Sequence, residues 1–334
     1  MSQRLQLQGR PFCFQLPQPL VTAHGALIQR RGWLLRLHSD AGQLGWGEVS
    51  PLEQTKAGAA AHRACANALV ALAKGVSWLE REELEQSLPQ LPKPLGFGLG
   101  LALAEIDGLG SPNEGGWLSP PSSAWLLPAG AGALPALSKI LQNNPGPGPF
   151  SVKWKVACHS DGEERQLLEQ LLQMLPQQAR LRLDANGGWD RCRARSWAEA
   201  LQREPRLEWL EQPLAPADHQ GLLRLAETLP VALDESLLLL SAAERASWPG
   251  WLVRRPALEG DPRPLLDQLR RGLPRQMLSS ALETGIGRRA IGHLAALQLL
   301  GPTPCPPGLA PGWQPQGALG GNDPEAVWAA AGQL

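Results

Sequence analysis

Tyrosine is absent from the 334-residue chain, and phenylalanine (4) and methionine (3) are scarce beside 13 tryptophans. With many Gly, Pro and Arg, this is a compositional bias that points to no particular chemistry. The five cysteines (Cys13, Cys65, Cys158, Cys192, Cys305) are odd in number, scattered and without a CxxC pair. Their pattern argues against a disulfide framework or a structural zinc site and suggests a reducing compartment. No net charge is present, since Lys+Arg and Asp+Glu both number 31. That leaves no large field to attract nucleic acid or an anionic membrane, and neither partner is expected. A run of about 18 apolar residues able to span a bilayer is missing, and "MSQRLQLQGRPF" lacks the apolar core of a signal peptide. A cytoplasmic protein is therefore expected, its state as monomer or homo-oligomer left open. The 6 histidines show no metal-ligand spacing and read as surface or packing residues; His24, beside Gly25 in a loop, is a candidate substrate contact.

What is present is an ordinary globular balance, 43% hydrophobic and 19% charged, in a chain long enough for a barrel plus a second layer. Residues 1 to about 50 alternate short apolar runs with turns and predict a small antiparallel sheet. Residues 53–88 read as helical, as in "AGAAAHRACANALVALAKG", and "GFGLGLALAEIDGLG" predicts a small-residue helix over 96–110. Beyond about residue 122, short apolar stretches alternate with helical ones: "FSVKWKVA" with "GEERQLLEQLLQML", "ARLRLDAN" with "CRARSWAEALQR", "RQMLSS" with "GRRAIGHLAALQLLG". Repeated βα units favour a parallel sheet, and about seven of them suit a barrel. The Pro/Gly-rich stretch 301–321 reads as irregular, ending in a short helix.

In such a barrel the reactive groups sit at the C-terminal strand ends. Lys153 and Lys155 end one predicted strand, Asp184 the next ("LRLDAN"), then Glu211 ("LEWLEQP"), Asp234 ("VALDES"), Arg255 ("WLVRRP"), and Ser279 with Ser280 ("MLSS"). The steps from 155 to 184, 211, 234 and 255 are 29, 27, 23 and 21 residues, each about one βα unit. Three neighbouring strands thus bring Asp, Glu and Asp to one rim, where they repel unless a cation neutralises them. Oxygen ligands select a hard ion, Mg²⁺ before Mn²⁺. Each acid could instead cap the following helix, but three in a row beside lysines favour the metal. Lys153 and Lys155 share one strand face. Crowding with each other and a metal should lower a lysine's pKa toward a range useful for a base.

KxK, "DAN", "EQP", "DES" and a cation before Pro together resemble the enolase superfamily, its muconate-lactonising subgroup, and within it the o-succinylbenzoate synthases. The resemblance covers essentially the whole chain, with "GWGEVSPL" (45–52) like the family's capping segment and "SSALETGIG" (279–287) like its seventh-strand segment. It implies an α/β fold, a (β/α)₇β TIM-like barrel over residues 120–301. An α+β capping domain over 1–110, completed by the tail 302–334, would cover it. It further implies Asp184, Glu211 and Asp234 as Mg²⁺ ligands, Lys155 as acid/base and Lys153 as electrostatic helper. Asn186 and Glu235 would support these groups, and Ser279, Ser280 and the Gly285 region would offer donors to substrate oxygens.

The implied activity is syn-dehydration of 2-succinyl-6-hydroxy-2,4-cyclohexadiene-1-carboxylate to o-succinylbenzoate, through a metal-stabilised enediolate, in menaquinone or phylloquinone synthesis. One departure narrows it: Arg255 stands where the family usually has a second lysine, and arginine cannot act as a base. That disfavours two-base racemases and epimerases; a one-base dehydration needs only Lys155, with Arg255 as a fixed charge or a stacking cation. Muconate-type cycloisomerisation, an inactive barrel kept for binding, and a metal-free carbohydrate-active barrel remain as other readings.

Overall fold

The structure, a computed structural model, describes residues 3–22, 25–53, 56–73, 77–143 and 148–332; His24 lies outside them. Two sheets organise the chain. The first is antiparallel, with strands β1 (Arg4–Thr22), β2 (Gly25–Ser39), β3 (Leu44–Val49) and β4 (Leu79–Glu80) in the order β3-β2-β1-β4. β1 and β2 form a long hairpin whose register slips between Gln15 and Leu20. The slip falls on Pro17 and Pro19, which have no N–H for the ladder. The helical expectation for 53–88 resolves into two helices, Lys56–Ala73 and Arg81–Ser87.

The small-residue helix runs Lys93–Ile106, a few residues earlier than predicted, and yields to left-handed turns at Gly108 and Gly110. It is buried almost all round, because it lies between the two units. Leu95, Leu99 and Leu103 pack with Leu35 and Leu37 of the antiparallel sheet, while Phe97 and Leu101 pack with Ala257 and Ile291 of the barrel. The "GWG" of β3 is what permits this approach. A Cβ at Gly45 would lie 1.9 Å from the Ala102 carbonyl oxygen, and one at Gly47 1.9 Å from that of Gly98.

The second sheet is parallel and seven-stranded, in the order β11-β10-β9-β8-β7-β6-β5. Its strands are β5 (Trp125–Leu127), β6 (Phe150–Lys155), β7 (Ala179–Asp184), β8 (Leu207–Glu211), β9 (Val231–Leu233), β10 (Trp251–Arg254) and β11 (Gln276–Leu278). The gap between β11 and β5 is closed by the stretch around Gly308. Its amide donates to the Leu278 carbonyl (2.8 Å) and its carbonyl accepts from the Ser280 amide (3.0 Å), while the Ala124 amide reaches the Pro307 carbonyl (2.9 Å). This eighth stave is irregular because "TPCPPGLAP" is short of N–H donors. Trp209, Ala232, Val253, Met277 and Cys305 fill the barrel's interior, and a larger apolar layer joins strands to outer helices. The tail helix Pro324–Ala330 returns to the antiparallel sheet, where Val327 and Trp328 pack on Phe12, Leu34 and Trp46. Among the described residues no helix is long and apolar enough to cross a membrane.

Candidate active site

Strand register brings the site together. Lys155 pairs with Asp184, Asp184 with Glu211, and Glu211 with Ala232. The acids therefore stand side by side, with Asp234 two residues beyond Ala232. The alternation of a strand turns Lys153 and Lys155 inward together, as predicted, and both are buried. Left-handed residues then bend the chain away after the strand ends, at Ala157, Asn186 and Gln212. Asparagine takes that conformation at little cost, and here it directs the Asn186 side chain back to the lysine. Glu164, fully buried, collects the Ala157, Cys158 and His159 amides at 3.0, 2.8 and 3.0 Å and fixes the turn after Lys155.

Lys153 Nζ lies 2.8 Å from Asp184 Oδ2 and also donates to Glu211 Oε1. Lys155 Nζ donates to Asp184 Oδ2 (2.9 Å) and Asn186 Oδ1 (2.7 Å). Asn186 Nδ2 in turn donates to Glu235 Oε1 at 2.9 Å. Arg255 forks onto Asp234, its Nε 2.8 Å from Oδ1 and its Nη2 2.5 Å from Oδ2, and its Nη1 donates to the Ser280 carbonyl at 3.0 Å. The guanidinium is thus pinned between Asp234 and the Ser280 carbonyl. The chain therefore neutralises its own acids with Lys153, Lys155 and Arg255.

Burial disfavours charge on Lys153, but Asp184 and Glu211 more than offset this, and the amine is held above the ordinary lysine range, not below it. Asp184 is the reciprocal case: burial opposes ionisation, yet Lys153 and Lys155 hold it far below the usual carboxylate range. Burial, with Asp234 and Asp184 nearby, pushes Glu235 up to about 8; its Oε2 is buried without a hydrogen-bond partner.

Lys153, Lys155, Asn186, Asp234, Glu235, Arg255, Ser279 and Ser280 line one cavity of about 530 Å³, within the usual range for a small-molecule site. Asp184 and Glu211 lie just behind the lysines, fully buried. The remaining wall is largely apolar and comes partly from the antiparallel unit, through Leu20, Leu27, Pro51 and Leu52.

Gly285 does not belong to this cavity. It opens the helix Gly285–Leu299 and faces the tail, where an added Cβ would lie 1.7 Å from the Gly321 carbonyl oxygen. Nor are the other expected donors open to a ligand: the Ser280 hydroxyl donates to Glu283 Oε2 at 2.6 Å, and the Ser279 and Ser280 amides donate to the Arg254 and Gly308 carbonyls at 2.8 and 3.0 Å. The Thr284 and Gly287 amides donate to Glu48 Oε2, each at 3.0 Å. Gln212 is a supporting residue that the sequence reading passed over. Its Oε1 accepts from the Asp234 and Ser236 amides, each at 3.1 Å, and so fixes the "DES" strand end; its only signal was its place after Glu211.

With their carboxylates drawn to ammonium and guanidinium groups, no three His, Cys, Asp or Glu side chains among the described residues converge as a ready metal cage. The donor set nevertheless fits a hard divalent ion. It consists of carboxylate oxygens from adjacent strand ends, in a site already built to hold positive charge against Asp184 and Glu211.

Residues 148–247 match the family described as Enolase C-terminal domain-like, and residues 10–106 that described as MenC, N-terminal domain. The chain is 36% identical over 325 residues to an o-succinylbenzoate synthase of Thermosynechococcus vestitus, covering 95% of this chain and 92% of that one. The chain belongs to the o-succinylbenzoate synthase family, within the enolase superfamily. A second member of that family, from Edwardsiella ictaluri, is 30% identical over 85% of this chain and 83% of its own. The crystal structure of the o-succinylbenzoate synthase from Thermosynechococcus elongatus, complexed with Mg in its active site, superposes with a TM-score of 0.76. It is 36% identical, with coverage of 97% of this chain and 99% of that one. The (β/α)₇β barrel with an α+β cap is the fold of this family, and the two sheets conform to it.

Proposed function

We propose that the chain is an o-succinylbenzoate synthase, a carbon–oxygen lyase acting on the small carboxylate 2-succinyl-6-hydroxy-2,4-cyclohexadiene-1-carboxylate. The observation that carries the reading is the pair of inward lysines at the cavity wall, Lys155 poised between Asp184 and Asn186. Asp184, Glu211 and Asp234 would hold Mg²⁺. When bound, the ion would balance the three acids and stabilise negative charge developing on the substrate's ring carboxylate.

The roles of the two amines follow from their partners. Lys153 stands between two carboxylates, Asp184 and Glu211, and serves as a fixed cation beside them. Proton transfer falls to Lys155, oriented by Asn186, which Glu235 orients in turn. Lys155 takes the proton α to the carboxylate and returns it to the departing hydroxyl on the same face, and water leaves. Aromatisation of the ring makes this step strongly downhill. Arg255, forked onto Asp234, cannot take a proton from the opposite face, in keeping with a one-base reaction rather than racemisation. The division of labour is a cap (1–110 with the tail helix Pro324–Ala330) that closes the cavity and a barrel that carries the chemistry, the barrel running past the expected 120–301 because the stretch around Gly308 closes it as an eighth stave.

The test is the rate of o-succinylbenzoate formation by the purified protein with Mg²⁺, with Mn²⁺ in its place, and with EDTA. Turnover that needs the divalent ion supports the reading; turnover unaffected by EDTA refutes the metal role and favours a metal-free carboxylate mechanism.

A further inference from the structure

Part of the cavity wall holds a residue in a conformation that its side chain disfavours. Leu282 has φ +66, the left-handed region in which a Cβ crowds the backbone. Glycine would take this turn freely, and among the described residues glycine stands at most of the positive-φ positions. Here leucine is kept. Its side chain is only 6% exposed, lines the cavity, and packs with Leu16, Leu27 and Trp313.

A hydrogen-bond network fixes this turn. The Leu282 amide donates to Ser280 Oγ at 2.7 Å, and that hydroxyl donates to Glu283 Oε2 at 2.6 Å. The other Glu283 oxygen accepts from the Ala281 amide at 2.7 Å. The next residue is held from the antiparallel unit. Glu48 of β3 accepts from the Thr284 amide (3.0 Å), the Thr284 hydroxyl (2.5 Å) and the Gly287 amide (3.0 Å). Both carboxylates are buried, at 1% and 2% exposure. The seat is shaped for them, since a Cβ at Gly287 would lie 2.7 Å from Glu283 Cβ and 2.8 Å from Glu48 Oε2. On the cap side, Arg30 donates to the Ser50 and Pro51 carbonyls at 2.5 and 2.7 Å, placing Pro51 in the same cavity's wall.

We propose that Glu283 and Glu48 are positioning residues for the reaction: they hold Leu282 left-handed, so that its side chain forms an apolar wall for the substrate's non-reacting carbon skeleton. They also tie that wall to the cap. This inference rests on the cavity being the dehydratase site. Strain is kept at functional sites when surrounding bonds over-determine it, and here the Ala281 and Thr284 amides on either side of Leu282, with the Gly287 amide of the following helix, end on two buried carboxylates. A leucine wall binds substrate and transition state alike, so its loss should appear in KM and leave kcat largely intact.

The test uses the purified full chain with Mg²⁺, wild type in parallel with Glu283→Ala, Glu283→Gln and Leu282→Gly. Glu283→Ala and Leu282→Gly are expected to raise KM by about tenfold with kcat within about threefold and Mg²⁺ affinity unchanged. Glu283→Gln keeps an acceptor for the Ala281 amide and is expected to recover most of the loss. Hydrogen exchange read by mass spectrometry supplies an activity-independent measure. The 281–287 amides should exchange slowly in wild type and quickly in Glu283→Ala. Unchanged KM in both Glu283→Ala and Leu282→Gly, beside an active wild type, overturns the proposal, as does rapid 281–287 exchange in wild type. An inactive wild type instead overturns the dehydratase reading, while the exchange pattern still decides whether Glu283 holds the turn.

Discussion

At the scale of single residues, the site depends on how each acid is matched to a cation. Asp234 is the acid whose charge is shared with a guanidinium, through the Arg255 fork. Asp234→Asn should therefore weaken Mg²⁺ binding by removing a donor charge and leaving Arg255 half-partnered. Magnesium titrations followed by tryptophan fluorescence should show an affinity at least about tenfold lower, the scale of losing a directly bound charge. Arg255→Lys replaces a fork by a point charge and cannot keep all three contacts. We expect dehydration to survive at a reduced rate, within about a hundredfold of wild type; complete loss would mean that the fork itself is indispensable. The strand-end spacing made Lys153, Lys155, Asp184, Glu211, Asp234 and Arg255 legible in the sequence, because one βα unit per step fixes where each group falls. Gly285 was misplaced because glycine opening a helix looks the same whether it faces a ligand or, as here, the Gly321 carbonyl.

Among the elements, the helix Lys93–Ile106 joins the two units, and its run of small and apolar residues made a helix legible in the sequence. Its register was harder to read, since glycines both pack inside it and end it. Near its end Glu105 Oε1 accepts from Arg289 Nη2 at 2.6 Å, linking this helix to Gly285–Leu299 of the barrel. Burial, opposed by Arg289, pushes Glu105 up from its ordinary 4.5 to about 7. The sign of the effect follows from linkage. A carboxyl with a raised folded-state pKa favours folding when protonated, and that contribution fades as pH climbs from 4.5 through 7. Thermal melts of wild type and Glu105→Gln should therefore diverge over this window, wild type losing stability relative to the variant. Parallel curves would show that Arg289 keeps Glu105 ionised throughout. The strands of the barrel were legible from their apolar runs. The eighth stave was not, because its prolines leave only isolated backbone bonds around Gly308.

Across the whole molecule, a barrel places charged groups at one rim while a cap of separate topology supplies much of the apolar wall. The wall residues Leu20, Leu27 and Leu52 carry no sequence signal of their role, since only docking of the cap brings them to the cavity. Glu48 ties cap to barrel through the Thr284 and Gly287 amides, and the glycines of "GWG" let β3 lie close against the joining helix. Within the enclosure one group, the amine of Lys155, is proposed to carry the proton. The most direct measurement is the dehydration rate of purified wild type and Lys155→Ala side by side with Mg²⁺, both proteins shown to be folded by circular dichroism. The proton-carrying role of Lys155 predicts o-succinylbenzoate from wild type and a rate lower by at least about 10²-fold in the variant, the scale of a lost general acid–base. A Lys155→Ala protein that dehydrates the substrate at the wild-type rate would contradict it.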